Sequence, residues 1–111
     1  MIKTENQFPE LLEKLSRSFG EDLDLTSLLF LIGLQELGMS HEKLSKDQKI
    51  DVLHIAICKL LEPHGYYNFI GRDIDGWPHW EIANEIPDML PKDQLQLIRS
   101  AITNYFKENN P

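Results

Sequence analysis

Cysteine is nearly absent from this chain: Cys58 is the only one. A lone thiol cannot close an intramolecular disulfide, so the fold must be held by packing, and such cysteine usage suits a reducing compartment. Positive charge is also scarce, with 11 Lys and Arg against 18 Asp and Glu and a net charge of −7. An acidic surface repels phosphate backbones, which sets nucleic-acid binding aside. The most apolar stretch, Leu28 to Leu34, is far shorter than the about 20 residues that cross a bilayer. Met1 to Gln7 is polar and lacks the basic start and apolar core of a signal peptide, so a cytoplasmic location without membrane association is expected. No Gly-rich phosphate loop, Gly-x-Ser-x-Gly elbow or paired-carboxylate spacing is present.

What is there suits one globular domain, residues 1–111. Hydrophobic content of 41% and charged content of 26% are ordinary globular values and exclude a wholly disordered chain. A length of 111 residues can bury a core without metals or disulfides. The expected class is mainly α, α+β overall: four helices, with a two-stranded antiparallel hairpin between the third and fourth.

Phe8 to Phe19 carries Leu11, Leu12, Leu15 and Phe19 at helical spacing, with Pro9 suited to its first turn and Gly20 to its stop. Leu25 to Leu37 is apolar nearly all round, as in a helix buried at the centre of a domain. Gly33 within it predicts close approach of another element, and Gly38 predicts its end. If the domain is too small to cover this helix, a homodimer interface would complete the burial. Met39 to Leu44 reads as a connection with room for one helical turn.

Ser45-Lys46-Asp47-Gln48 has capping-box spacing and opens a third helix that runs to about Glu62. Its expected core face is Ile50, Leu53, Ala56, Ile57, Leu60 and Leu61, with Asp51, His54 and Cys58 on the opposite side or its margin. Pro91 opens the last helix, expected to run to about Lys107 on a stripe of Leu95, Ile98, Ile102, Tyr105 and Phe106, with the tail from Glu108 to Pro111 frayed. Leu44-Ser-Lys-Asp-Gln and Leu90-Pro-Lys-Asp-Gln look alike, which points to shared helix-start chemistry rather than a repeat.

Residues 66–83 hold both tryptophans and two of the three tyrosines. Asp75-Gly76 predicts a two-residue type I′ turn, because both central positions need positive φ. That register pairs Ile74 with Trp77, Arg72 with His79, Ile70 with Glu81, and Gly71 with Trp80, where glycine leaves room for the indole. It places Pro78 in a non-hydrogen-bonded pair. Tyr67, Phe69, Trp80 and Ile82 then face the helices. Trp77, His79, Arg72, Ile74, Ile70 and Glu81 face away, and tryptophan, arginine and histidine among aliphatic residues make an interface hot spot. A loop one residue longer would exchange the faces.

The chemistry-bearing residues outside the hairpin give a rival reading. Asp51, His54 and Cys58 lie at helical offsets of three and four, and with His64 or His79 they could form a small metal-dependent or acid–base site. In the metal version the ligands come from His54, His64, His79 and Asp51, though no His-Glu-x-x-His or Cys-x-x-Cys motif supports it. Asp73-Ile74-Asp75-Gly76 is not a calcium loop, since Gly71 and Ile82 would occupy positions that need acidic ligands. Helix, helix, hairpin order also fits a winged-helix-like nucleic-acid module. Its reader helix, however, would present Asp47, Asp51 and Glu62 to phosphate.

The run from His54 to Leu61, then Gly65-Tyr66-Tyr67 and Gly71 to Glu81, resembles a family of short bacterial proteins with a Gly-Trp-Pro-His-Trp segment and no assigned activity. The resemblance covers a third to a half of the chain. It implies a bacterial cytosolic domain and transfers no functional residues. The leading reading is therefore a non-enzymatic protein-interaction module without a cofactor, which meets a protein partner through the outer hairpin face.

Overall fold

A computed structural model describes residues 8–19, 23–38 and 44–109. The readings for Met1 to Gln7, Gly20, the connection over 39–43 and the last two residues lie outside that range. The elements are α1 (Phe8–Phe19), α2 (Leu25–Leu37), α3 (Lys46–Leu61), β1 (Tyr67–Arg72), β2 (Pro78–Ile82) and α4 (Pro91–Asn109). The α+β class holds: four helices, with a two-stranded antiparallel sheet between α3 and α4. None of the described helices is long and apolar enough to cross a membrane.

The chain divides into two compact units, one holding α2, α3 and the hairpin over Asp24–Ile86, the other holding α1 and α4.

In the first unit the helix ends are set by short polar residues. Asp24 caps α2 by accepting the Ser27 N–H at 2.7 Å, and that hydrogen bond holds its carboxyl below the ordinary value. Gly38 ends the helix in the left-handed conformation at φ 66°, donating its N–H to the Leu34 carbonyl. The capping box of α3 is complete: Ser45 Oγ accepts from the Gln48 N–H, and Gln48 Oε1 accepts from the Ser45 N–H.

Gly33 is where α2 meets α3. A Cβ there would run into the Val52 carbonyl oxygen and lie 2.7 Å from Val52 Cγ1, so only glycine lets the helices approach this closely. Only Leu28, Ile32, Gly33 and Leu37 of α2 are fully buried; Leu29, Phe30, Leu31 and Leu34 are half-buried. The expectation of a helix buried all round holds for one stripe. The core face of α3 is rotated from the expected one. Val52, Ile55, Ala56, Cys58, Leu60 and Leu61 are buried, Leu53 and Ile57 are half-buried, and Ile50 is exposed. Nearly every position from Val52 to Leu61 is apolar, so periodicity there defines a broad sector rather than a single stripe.

In the second unit Phe8 is buried with the Arg99 guanidinium 5.6 Å above its ring, a cation–π arrangement. The Leu23 N–H donates to Ser16 Oγ at 3.1 Å. Along α4, Ala101, Ile102, Thr103 and Tyr105 are buried while Leu95, Ile98 and Phe106 are half-buried. The Thr103 hydroxyl, donating to the Arg99 carbonyl at 3.0 Å, is satisfied within the helix. The helix continues through Glu108 to Asn109, past the expected end, because no glycine or proline interrupts it before Pro111.

The two similar helix starts differ in chemistry. At Leu90 the backbone carbonyl accepts the N–H groups of Asp93 and Gln94, and the Gln94 side chain donates to the Met89 carbonyl. There is no reciprocal box, since proline replaces the capping serine.

Candidate functional site

The hairpin adopts a different register from the one its Asp-Gly pair predicts. Tyr67 pairs with Ile82, Asn68 with Glu81, Phe69 with Trp80, Gly71 with His79 and Arg72 with Pro78, with a bulge between Phe69 and Gly71. The loop is closed by Asp73, whose N–H donates to the Trp77 carbonyl at 2.9 Å. Three residues, Ile74, Asp75 and Gly76, therefore lie in the loop. Gly76 has φ 88° and Asp75 does not have positive φ, so a type I′ turn is excluded.

The cause lies in the Asp73 side chain. Its Oδ1 accepts the backbone N–H groups of Asp75 at 2.9 Å and Trp77 at 3.0 Å, a local bridge that fixes the wider loop. Its Oδ2 lies 2.8 Å from His79 Nε2. The hydrogen bond from His79, followed by the one from the Trp77 N–H, holds the Asp73 carboxyl below its ordinary value.

The bulge then decides which side each residue occupies. Ile70 and Gly71 together stand opposite His79, and Gly71 takes φ 118°, which a side chain would strain. Gly71 thus serves the bulge, not the indole of Trp80. The extra residue keeps Phe69 and Trp80 on one face, with ring centroids 5.2 Å apart at 62°. It also brings Arg72, three residues beyond Phe69, onto that same face. Pro78 is buried opposite Arg72, one position from the bonded Asp73–Trp77 pair, so its missing N–H leaves the ladder intact.

Two expected interface residues consequently leave the outer face, Trp77 for the core and Arg72, still exposed, for the end of α2. Trp77 is half-buried and packs with Trp80, Phe30, Leu34 and Leu44 against the core of Leu37, Val52 and Ile55. Arg72 reaches the end of α2, where Nη2 donates to the Glu36 carbonyl at 2.7 Å and Nη1 to the Leu37 carbonyl at 3.0 Å. Nη1 also donates to the Gly76 carbonyl at 2.8 Å, tying the loop to the same group. The sequence showed an arginine in an aromatic hairpin but not its partners, which are main-chain carbonyls left open at the end of α2.

The rest of the outward set stays outward. Ile74 is 100% exposed at the tip, Ile70 is 60% exposed at the bulge, and His79 and Glu81 are exposed on β2. On the helix-facing side Tyr67 and Trp80 are half-buried as expected, whereas Phe69 and Ile82 remain exposed, Ile82 at 72%.

A cleft of about 160 Å³ opens between this inner face and the ends of α2 and α3, lined by Glu36, Lys59, Glu62, Phe69, Arg72 and Trp80. Its groups largely satisfy one another. The Trp80 indole N–H donates to Glu62 Oε1 at 3.2 Å, and Lys59 lies 4.0 Å from Glu36. Ligand pockets for organic molecules usually hold about 300 Å³ or more, so this cleft reads as a polar seam. In the other unit a groove of about 380 Å³ runs between α1 and α4, with Leu11, Leu15 and Phe106 flanked by Lys14 and Lys107.

The acid–base and metal candidates are dispersed. Cys58 Sγ lies 3.4 Å from His54 Nε2, and the edge of Tyr67 meets the His54 ring, with centroids 6.3 Å apart. Cys58 is buried, and burial pushes its thiol up to about 11, so it stays protonated near neutrality. Asp51 and His64 are exposed, and His79 is engaged by Asp73. Among the described residues no three His, Cys, Asp or Glu side chains gather into a set that could hold a metal.

No protein family, curated protein or solved structure matches this chain.

Proposed function

We propose that this chain is a non-enzymatic protein-interaction module whose contact surface is the outer face of the hairpin: Ile70, Ile74, His79 and Glu81. On this reading the module works in a bacterial cytosol, which the resemblance of a third to a half of the chain to short bacterial proteins supports. The observation that carries the proposal is the complete exposure of Ile74 at a loop tip whose neighbours are all tied down. Leaving an isoleucine in water forgoes about 2 kcal/mol of burial, which a binding partner would recover. The nearby reactive types do not form a catalytic set: Cys58 is a protonated buried thiol and His79 is bound to Asp73.

The test is a double variant, Ile70→Ser with Ile74→Ser, compared with the native chain by affinity capture. The variant is expected to keep its circular dichroism and melting temperature while losing partners that the native chain retains. Equal recovery of the same partners by both chains would overturn the proposal.

A further inference from the structure

We infer that the occupant of the outer hairpin face is a basic segment of another protein, in which lysine or arginine side chains flank aliphatic ones. The inference rests on the interaction reading above and names the chemistry of its partner.

The ground is charge complementarity. Between Tyr66 and Ile86 the sequence has one Lys or Arg, Arg72, against Asp73, Asp75, Glu81 and Glu85. The structure turns the Arg72 guanidinium to the carbonyls of Glu36, Leu37 and Gly76, where it answers the negative end of α2. What the ribbon shows outward is carboxylate: Asp75 beside the fully exposed Ile74, and Glu81 on the same face as Ile70. His79 is the one titratable base on this face, and Asp73 engages it. An aliphatic patch with an acidic border fits a partner that brings aliphatic side chains inside a basic border.

The other occupants fit less well. A second copy of this chain would bring the carboxylates of Asp75 and Glu81 to a face that carries the same acidic groups, on a molecule of net charge −7. Like charges in close apposition oppose such a contact. Phosphate-rich partners meet the same repulsion.

Three synthetic peptides of one aliphatic sequence, with lysine, glutamate or serine at the alternate positions, provide the test. Each is titrated into the full chain while backbone amide NMR signals of Ile70, Ile74 and Glu81 are followed. The lysine peptide is expected to move these signals, with affinity falling about tenfold between low and physiological salt. Asp75→Asn with Glu81→Gln is expected to weaken it by a further factor of about ten without changing the melting temperature. Equal binding of the serine or glutamate peptide overturns the basic-partner inference. So does movement of the same signals with protein concentration alone, which would make a second copy the occupant. If the lysine peptide does not bind but Ile70→Ser with Ile74→Ser abolishes partner capture, the interaction reading stands and the basic partner falls. If both experiments are negative, both fall.

Discussion

Arg72 Nη1 lies 3.0 Å from the carbonyl oxygen of Leu37, so a strand residue closes the end of a helix that finishes 35 residues earlier. The same guanidinium holds the Glu36 and Gly76 carbonyls, which makes it a joint between α2 and the hairpin loop. Replacing it with methionine keeps the stem and removes the fork. Arg72→Met should destabilise the chain by about 1–2 kcal/mol, since hydrogen bonds from a charged donor are worth more than neutral ones but these are partly solvated. Arg72→Lys should recover little of it, because an ammonium cannot span three carbonyls. Urea unfolding midpoints decide; equal stability of all three chains would show that the contacts contribute nothing.

Trp77 and Ile74 are three residues apart in one hairpin and should behave in opposite ways. The outward placement expected for Trp77 from the sequence implies that Trp77→Ala would leave folding nearly intact. Its packing against Leu37, Val52 and Ile55 instead predicts a loss of about 2 kcal/mol, below the full penalty of a completely buried tryptophan. Ile74→Ser should change stability by less than about 0.5 kcal/mol. Thermal melts of the two variants test the contrast, and a stable Trp77→Ala would contradict the packing.

The loop should respond to acid through Asp73. Its carboxyl is held below the ordinary value of 3.8, chiefly by the hydrogen bond with His79 and then by the Trp77 N–H. A depressed folded-state pKa contributes stability above the unfolded value, and that contribution is lost as pH falls through the folded one. Asp73→Asn keeps an oxygen for the loop amides but removes the charge. The stability difference between native and variant chains should be full above about pH 4 and shrink steadily below it. Melting temperatures across an acid series would show this, and a constant difference would refute the linkage.

Cys58 should be silent in the folded chain. With its thiol buried and pushed up to about 11, a disulfide reagent near neutral pH should label it only as the protein unfolds. Labelling rates followed against urea concentration should track the unfolding curve. Reaction at the rate of a free thiol in native buffer would contradict the burial.

These residues also show how far the sequence could be read. Helix ends governed by local chemistry were legible: Ser45 with Gln48, Gly38, and the extent of α1 and α2 all match. Gly33 was legible as a contact point because a glycine inside an apolar helix has few other uses. The hairpin was legible as an element but not in register. Asp75-Gly76 offers a good two-residue turn, and nothing local shows that the Asp73 side chain will bridge to Trp77 and select three. Arg72 was illegible for a different reason, because its partners are main-chain carbonyls of α2, and an alternation pattern carries no trace of them. Of the residues expected on the outer face, Ile70, Ile74, His79 and Glu81 are exposed there, whereas Trp77 packs on the core and the exposed Arg72 reaches to the end of α2.

The link from Arg72 to α2 also has a consequence in time. The Glu36 carbonyl waits 36 residues for its donor. At a synthesis rate of roughly 5–20 residues per second, α2 is complete for roughly 2–7 s before Arg72 has been added to the chain. Among the described residues, Gly38 is the one made by then that holds its backbone end, through the Leu34 carbonyl. The glycine is the provisional stop of the growing chain, and the arginine makes the stop permanent only when the hairpin folds back.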